Sequence, residues 1–259
     1  MKLNEQQLAT FDRDGIVAVE NLFSQEEVDR LNFALAEVKA KRPPGAVAQR
    51  TSDSLRLIYG ADHHHPDYAA LARHPRWVEP ARQLLDSEVY IHQMRINTKA
   101  AFDGEGWWWH QDFATWHFED GMPEPRALMI GVLLDDCDTC NGPLQVIPGS
   151  HRFGHIDDNA PDRDKSGYTV MDLPRETIAR LAHEGGMRAL TGKAGTVFFM
   201  HCNLVHGSST NISPGERTII YINVNAVDNA ITKPVRADYF ANKDFTPIKT
   251  VDDACLTID

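Results

Sequence analysis

The spacing of apolar side chains changes character near residue 86, and that change divides the chain into a helical opening and a β-rich remainder. Between Glu5 and Asp14 the apolar residues Leu8 and Phe11, with Ile16 beyond, predict a short helix, which Gly15 ends before the strand-like Ile16-Val17-Ala18-Val19. Ser24 with Glu27 three residues later forms a capping box, and Val28, Leu31, Leu35 and Val38 behind it describe one amphipathic helix. Pro43-Pro44-Gly45 break that helix, Leu55 to Tyr59 alternate as a strand, and a further helix is predicted over 76–85.

From about residue 86 to 226, short strand-like segments bounded by Gly, Pro and Asn dominate. They predict an all-β core with the helices packed outside. Val89 to Lys99 alternates, with Gln93, Arg95, Asn97 and Lys99 on one face and His92, Met94, Ile96 and Thr98 on the other. For an isolated strand the polar face is expected to be wet; the alternative is that it lines a ligand cavity, with Gln93 and Asn97 as hydrogen-bonders. Ala127 to Leu134 is unbroken apolar sequence and reads as a strand buried on both sides. Gly195 to Met200 and Arg217 to Ala226 complete the strong strands, the last placing Arg217, Ile219, Tyr221, Asn223 and Asn225 on one face. Residues 154–186 are charged and punctuated by Gly and Pro, with one helix predicted at Arg175 to His183; such an insert is either a lid or a disordered loop.

A chain of 259 residues with 42% hydrophobic and 24% charged positions is expected to form a single domain over 1–259, its helices up to about 86 supporting the β core. The net charge of −11 and the scattered Lys and Arg argue against nucleic acid as a partner. No run is long and apolar enough for a membrane span, and Met1 to Gln7 are polar, so a soluble cytoplasmic protein is expected. Cys137-Asp138-Thr139-Cys140 has the spacing of a redox pair, but no second pair accompanies it, and reduced cysteines in a turn are expected. His63-His64-His65-Pro66 is expected to be loop, its side chains diverging.

The chemistry centres on Trp107-Trp108-Trp109-His110-Gln111-Asp112-Phe113. If the segment is extended, His110 and Asp112 project to one side, and an imidazole and a carboxylate converge. His206, beside the small residues Gly207 and Ser208, is favoured over His201 as a third ligand. Two His and one carboxylate are the set that holds non-haem Fe(II) with open positions. The same set would suit Zn²⁺ hydrolysis, but no extra Glu base is evident and Arg217 would be left unexplained. An Arg eleven residues after a ligand His suits a carboxylate-bearing cosubstrate, because guanidinium and carboxylate pair bidentately. A metal-free binding module of the same fold would need a broken triad, and here all three residues are present.

In order, Trp109-His110-Gln111-Asp112, Asn141-Gly142-Pro143-Leu144, Ile147-Pro148-Gly149-Ser150-His151, His206-Gly207-Ser208 and Arg217 resemble the phytanoyl-CoA dioxygenase-like family of Fe(II)/2-oxoglutarate oxygenases. The resemblance runs from about residue 10 to 247. It implies a mainly β fold with flanking helices, a double-stranded β-helix (jelly roll, cupin-like). Within the family, Tyr90-Ile91-His92-Gln93, Phe113 to Pro123 and Asn211-Ile212-Ser213-Pro214 are similar to ectoine hydroxylases and free-proline trans-4-hydroxylases. Carried over, it implies that His110, Asp112 and His206 bind iron, that Arg217 and Ser208 with Asn97 hold 2-oxoglutarate, and that Gln93, Trp116 and Tyr221 contact substrate. Tyr221 stands where Phe is expected, and His201 where ectoine hydroxylases have Asp. Asp112 implies hydroxylation with O2, since related halogenases lack a carboxylate there. The implied substrate is a small cyclic zwitterionic amino acid, with free L-proline first, ectoine second and pipecolate third. Oligomeric state is left open.

Overall fold

In the computed structural model, which describes residues 1–50, 52–157, 160–163 and 169–257, two reciprocal capping boxes start the long N-terminal helices. Asn4 with Gln7 caps α1 (Glu5–Asp14), and Ser24 with Glu27 caps α2 (Gln25–Lys41). Each satisfies amide groups that would otherwise have no partner. Gly15 ends α1 in the left-handed region (φ 74°), and a Cβ there would lie 2.4 Å from His151, so glycine is required by both conformation and space. Two further helices follow, α3 (Pro66–Leu71) and α4 (Pro75–Leu85), each opened by a proline at its first position. The six-residue α3 is too short to show a helical repeat in sequence.

Thirteen strands are formed by the described residues. They are β1 (Ile16–Val19), β2 (Ala46–Ala48), β3 (Leu55–Tyr59), β4 (Val89–Lys99), β5 (Trp107–His110), β6 (Ala127–Leu133), β7 (Leu144–Val146), β8 (Ala160–Arg163), β9 (Thr169–Asp172), β10 (Arg188–Leu190), β11 (Val197–His201), β12 (His206–Ser208) and β13 (Arg217–Ala226). They form a large sheet ordered β1-β11-β6-β13-β4-β3-β2 and a small one ordered β10-β7-β12-β5-β9-β8. All pairs among the described residues are antiparallel, and the two sheets face each other as a jelly roll.

β13 explains the layering. All ten of its residues are buried, with β6 on one side and β4 on the other. Ile220, Ile222 and Val224 face outward and pack with Val28, Leu31, Val38, Trp77 and Val78 of α2 and α4. Full burial of side chains of this size stabilises by about 1.5–3 kcal/mol each. Ile219 and Tyr221 face inward, against Leu144, Val146 and Phe198. The register sets Tyr221 opposite Arg95, Ile219 opposite Asn97 and Arg217 opposite Lys99, so both polar faces seen in the sequence point between the sheets.

Where it is described, the insert forms two strands and a helix. β9 pairs with β5 through His110 and Asp172, β8 pairs with β9, and α6 (Arg175–Gly185) runs two residues beyond the predicted helix. Residues 158, 159 and 164–168 of the expected lid lie outside the described residues. Among the described residues no helix is long and apolar enough to cross a membrane.

Candidate active site

The aromatic segment is not extended throughout. β5 ends at His110, Gln111 takes extended backbone (φ −117°, ψ 130°) as the cap, and Asp112 is the first residue of α5 (Asp112–Asp120). His110 and Asp112 therefore converge at a strand-to-helix junction and not by the alternation of a strand. β12 lies beside β5 with His206 directly opposite His110, which brings the third residue in across a backbone ladder. His201 is at the end of β11, in contact with His151 and Phe11, away from the pair.

The three ligand atoms lie within 4.8 Å of one another, and all three residues are buried. His110 Nε2 is 3.9 Å from Asp112 Oδ1, and His206 Nε2 is 3.8 Å from Oδ2. Each imidazole donates its Nδ1–H to a backbone carbonyl, His110 to Trp108 (2.6 Å) and His206 to Leu204 (2.9 Å). That fixes the tautomer and leaves Nε2 as the free donor atom. Burial, reinforced by His206, pushes His110 down to about 4, and burial lowers His206 too, so both are neutral near pH 7 as metal binding requires. Burial alone would raise Asp112, but His206, Arg95, His110 and His92 together hold its carboxyl below the ordinary range. Its Oδ2 is buried with no hydrogen-bond partner. A buried carboxylate oxygen left bare between two neutral imidazoles fits a divalent cation, and the all-N,O set of two His and one Asp fits iron.

A cleft opens from this centre between the sheets, walled by Leu57, Tyr59, Trp107, Met129, Leu144 and Tyr221. Asn97, Ser208 and Arg217 line it as expected, and Asn97 Oδ1 is buried without a partner. Arg217 is 1% exposed and donates from Nε and Nη2 to the Gly142 carbonyl.

Two of the substrate expectations are placed differently. Gln93 does not line the cleft: its Nε2 donates to the Phe240 carbonyl, and its Oε1 accepts from Arg95 and Asn223. Trp116 is fully buried behind the cleft, one helical turn beyond Asp112, packed edge-on against His92 and grouped with Phe113 and Met122. Because α5 starts at Asp112, a residue four positions on follows the helix into the core. Tyr221 is in the wall, with the Arg95 guanidinium 5.1 Å above its ring. Arg95 and Lys99 were passed over in the sequence. Arg95 Nη2 stands 3.9 Å from Asp112 Oδ1, and Lys99 Nζ donates to Ser208 Oγ at 2.9 Å. Their signal was present, since both share the face of Gln93 and Asn97 that an isolated strand would leave wet.

A jelly roll with a buried two-His, one-carboxylate centre at one end of an inter-sheet cleft defines the class of non-haem iron, 2-oxoglutarate-dependent oxygenases. Comparison with known proteins agrees: the sequence pattern of the phytanoyl-CoA dioxygenase family (PhyH) matches residues 11–219. The chain belongs to that family. It is 43% identical over 243 residues to the ectoine dioxygenase of Sphingopyxis alaskensis, covering 90% of this chain and 79% of that protein. The Bordetella bronchiseptica ectoine dioxygenase is 41% identical over 246 residues (90% and 78%), and the L-proline trans-4-hydroxylase of Streptomyces griseoviridis 37% over 251 (93% and 94%). The crystal structure of EctD from S. alaskensis with 2-oxoglutarate and 5-hydroxyectoine superposes with a TM-score of 0.85 at 39% identity, over 96% of this chain and 87% of that one. A further structure of that protein has bound Fe.

Proposed function

We propose that this protein is an Fe(II)- and 2-oxoglutarate-dependent hydroxylase of a small cyclic zwitterion, with ectoine ahead of L-proline. The observation that carries the reading is the bare, buried Asp112 oxygen facing the Nε2 atoms of His110 and His206 at the end of a cleft lined by Arg217. His110, Asp112 and His206 hold the iron. When bound, iron with 2-oxoglutarate couples reduction of O2 and loss of CO2 to insertion of one oxygen atom into a C–H bond. Arg217, with Ser208 and Asn97, takes the far carboxylate of 2-oxoglutarate. Arg95, beside Asp112, suits a substrate carboxylate, and Gln93 and Asn223 hold it in place through the Gln93 Oε1 bonds. Tyr221 offers a flat ring to a cyclic substrate, while Leu57, Tyr59, Trp107 and Leu144 exclude water. Trp116 supports α5, and so Asp112, from behind.

Ranking ectoine first reverses the order drawn from short sequence motifs. Relatives at 41–43% identity are ectoine dioxygenases, against 37% for the proline enzyme. L-Proline stays the second reading because a relative that matches 93% of this chain at 37% identity is an L-proline trans-4-hydroxylase. The deciding experiment gives the protein Fe(II) and 2-oxoglutarate with ectoine, L-proline or pipecolate in turn, and follows mass gain of one oxygen atom together with succinate. Ectoine is expected to gain oxygen at the highest rate. Turnover of proline with none of ectoine would restore the first order, and no gain with any of the three would end the cyclic-zwitterion reading.

A further inference from the structure

Residues 231–242, beyond the matched family pattern that ends at residue 219, cross from the end of α5 to β4 as a strap. The Thr232 and Lys233 amides tie down its start, donating to the carbonyls of Gly121 (3.2 Å) and Asp120 (2.8 Å). The Asn242 amide ties down its end, donating to the His92 carbonyl (2.8 Å). Ile231 and Ala241 are buried with Phe113 and Trp116, while residues 232–235, 237 and 238 are exposed. Between these ends an ion pair fastens the strap: Arg236 Nε and Nη2 donate to Asp120 Oδ1 (2.7 Å) and Oδ2 (2.6 Å). The Arg236 side chain is 11% exposed and that of Asp120 not at all, and His92 Nε2 stands 3.2 Å from the same carboxylate. A two-pronged pair shielded from water fixes direction as well as distance. Tyr239 rests on Gly60, where a Cβ would lie 3.1 Å from its own, and the Phe240 ring meets Tyr59 of the cleft wall edge-on at 4.7 Å.

We propose that this strap selects for a substrate carboxylate, with Arg236 as its positioning residue: pinned to Asp120, it holds the Phe240 carbonyl that orients Gln93, and Gln93 in turn aims Arg95. None of residues 231–242 lines the cleft, so the strap acts only through the groups it holds. The Phe240 carbonyl accepts from Gln93 Nε2 (2.7 Å), and that bond decides which way the amide faces. With Nε2 turned to the strap, Oε1 is left toward β4 and β13, where it accepts from Arg95 Nη1 (2.5 Å) and Asn223 Nδ2 (3.2 Å). An amide rotated by half a turn would set N–H groups against the guanidinium, donors facing donors. Arg95 Nη2, on the other prong, is then the group that stands beside Asp112. A guanidinium recognises a carboxylate by geometry, so an Arg95 that loses this support keeps its charge and loses its aim.

This rests on the reading of Arg95 as the partner of a substrate carboxylate, and the test separates the two. Ectoine, L-proline and the carboxamide of each are titrated by calorimetry into the protein loaded with Mn(II) and 2-oxoglutarate. Arg236→Gln is expected to weaken the acid about tenfold, as for losing a hydrogen bond to a charged group, and to leave its carboxamide and 2-oxoglutarate within about twofold. Arg236→Lys, which keeps the charge and loses the two-pronged geometry, is expected to fold and to show the same selective loss to a smaller degree. Gln93→Leu is expected to match Arg236→Gln, and the double variant to bind no more weakly than either, because one acts through the other. Equal weakening of acid and carboxamide, or additive losses in the double variant, overturns the role of the strap and leaves Arg95 in place. If the unmutated protein holds acid and carboxamide equally well, the carboxylate reading of Arg95 falls, and the strap's role with it. Hydrogen exchange tests the pin without any ligand: in Arg236→Gln the amides of 239–242 are expected to exchange faster while those of β13 do not change, and unchanged exchange at 239–242 overturns the pinning.

Discussion

Both ligand histidines are held by a bond to backbone, and the consequence of losing a ligand is sharpest at Asp112. Its 1% exposure and bare Oδ2 mean that removing the carboxylate leaves two neutral imidazoles facing a void. Asp112→Ala is expected to lower Fe(II) affinity by more than about 100-fold, beyond the 10–100-fold typical of losing a group behind a ligand. Succinate formation is expected to disappear with it. Metal titration followed by the succinate assay checks this, and succinate at the unmutated rate would remove Asp112 from the centre. At this scale much was readable. His110, Asp112, His206 and Arg217 stand together as their residue types and spacing indicate, and Asn97 and Ser208 join them as the family resemblance implies. Arg95 and Lys99 were not, because whether a polar strand face looks into water or a cleft is decided by the sheet opposite it. Trp116 was misplaced for a related reason: an aromatic near a site reads the same in sequence whether it walls the cleft or backs it.

Among elements, the insert is fastened at both ends to the strand that carries His110. At its start, the fully buried Gln111 amide donates to the carbonyls of Gly154 (2.9 Å) and Asn203 (2.7 Å) and accepts from the Ile156 amide (3.0 Å). At its end, the Leu173 amide donates to the Trp109 carbonyl and Trp108 Nε1 donates to the Leu173 carbonyl. One side chain between two ligands thus also braces the turn that leads to His206. Gln111→Ala removes three hydrogen bonds, one of them fully buried, and is expected to destabilise the fold by about 2–3 kcal/mol. It should also raise hydrogen exchange at 154–156 and 202–205 above that of β13. Equal exchange in the variant and the unmutated protein would show that the brace is idle. The helices α1, α2, α4 and α6 were legible from periodicity and caps, and the long strands from alternation. The start of α5 was not, because its first residue continues the aromatic run with no capping side-chain bond to mark the change.

Across the whole molecule, buried neutral histidines make stability depend on pH. Burial and then His151 push His201 down to about 4 from an ordinary 6.5, and its Nδ1 accepts from the Asn203 amide, which a protonated ring could not do. His151, His74 and His92 are shifted the same way, chiefly by burial. The unfolded chain takes up protons through about 6.5, while in the folded one His201 resists until about 4 and the other three are shifted in the same direction. The stability these histidines contribute is therefore full above about 6.5 and falls as pH drops toward 4. The metal-free protein is expected to melt at a lower temperature at pH 5 than at 7.5, by calorimetry; an unchanged melting temperature would contradict the assignment. The overall layering was legible because the unbroken apolar run of β6 and the alternation of β13 each describe a fixed number of buried faces. The order of the strands was not, since pairing joins residues as distant as Ile16 and Met200. The register between β4 and β13 has a further consequence in descent. Arg95, Asn97, Lys99, Arg217 and Tyr221 share the inner face only while that pairing is kept, and a slip of one residue would turn the slipped strand's share of them outward. A codon gained or lost in the paired stretch would therefore remove several contacts of the site in one step.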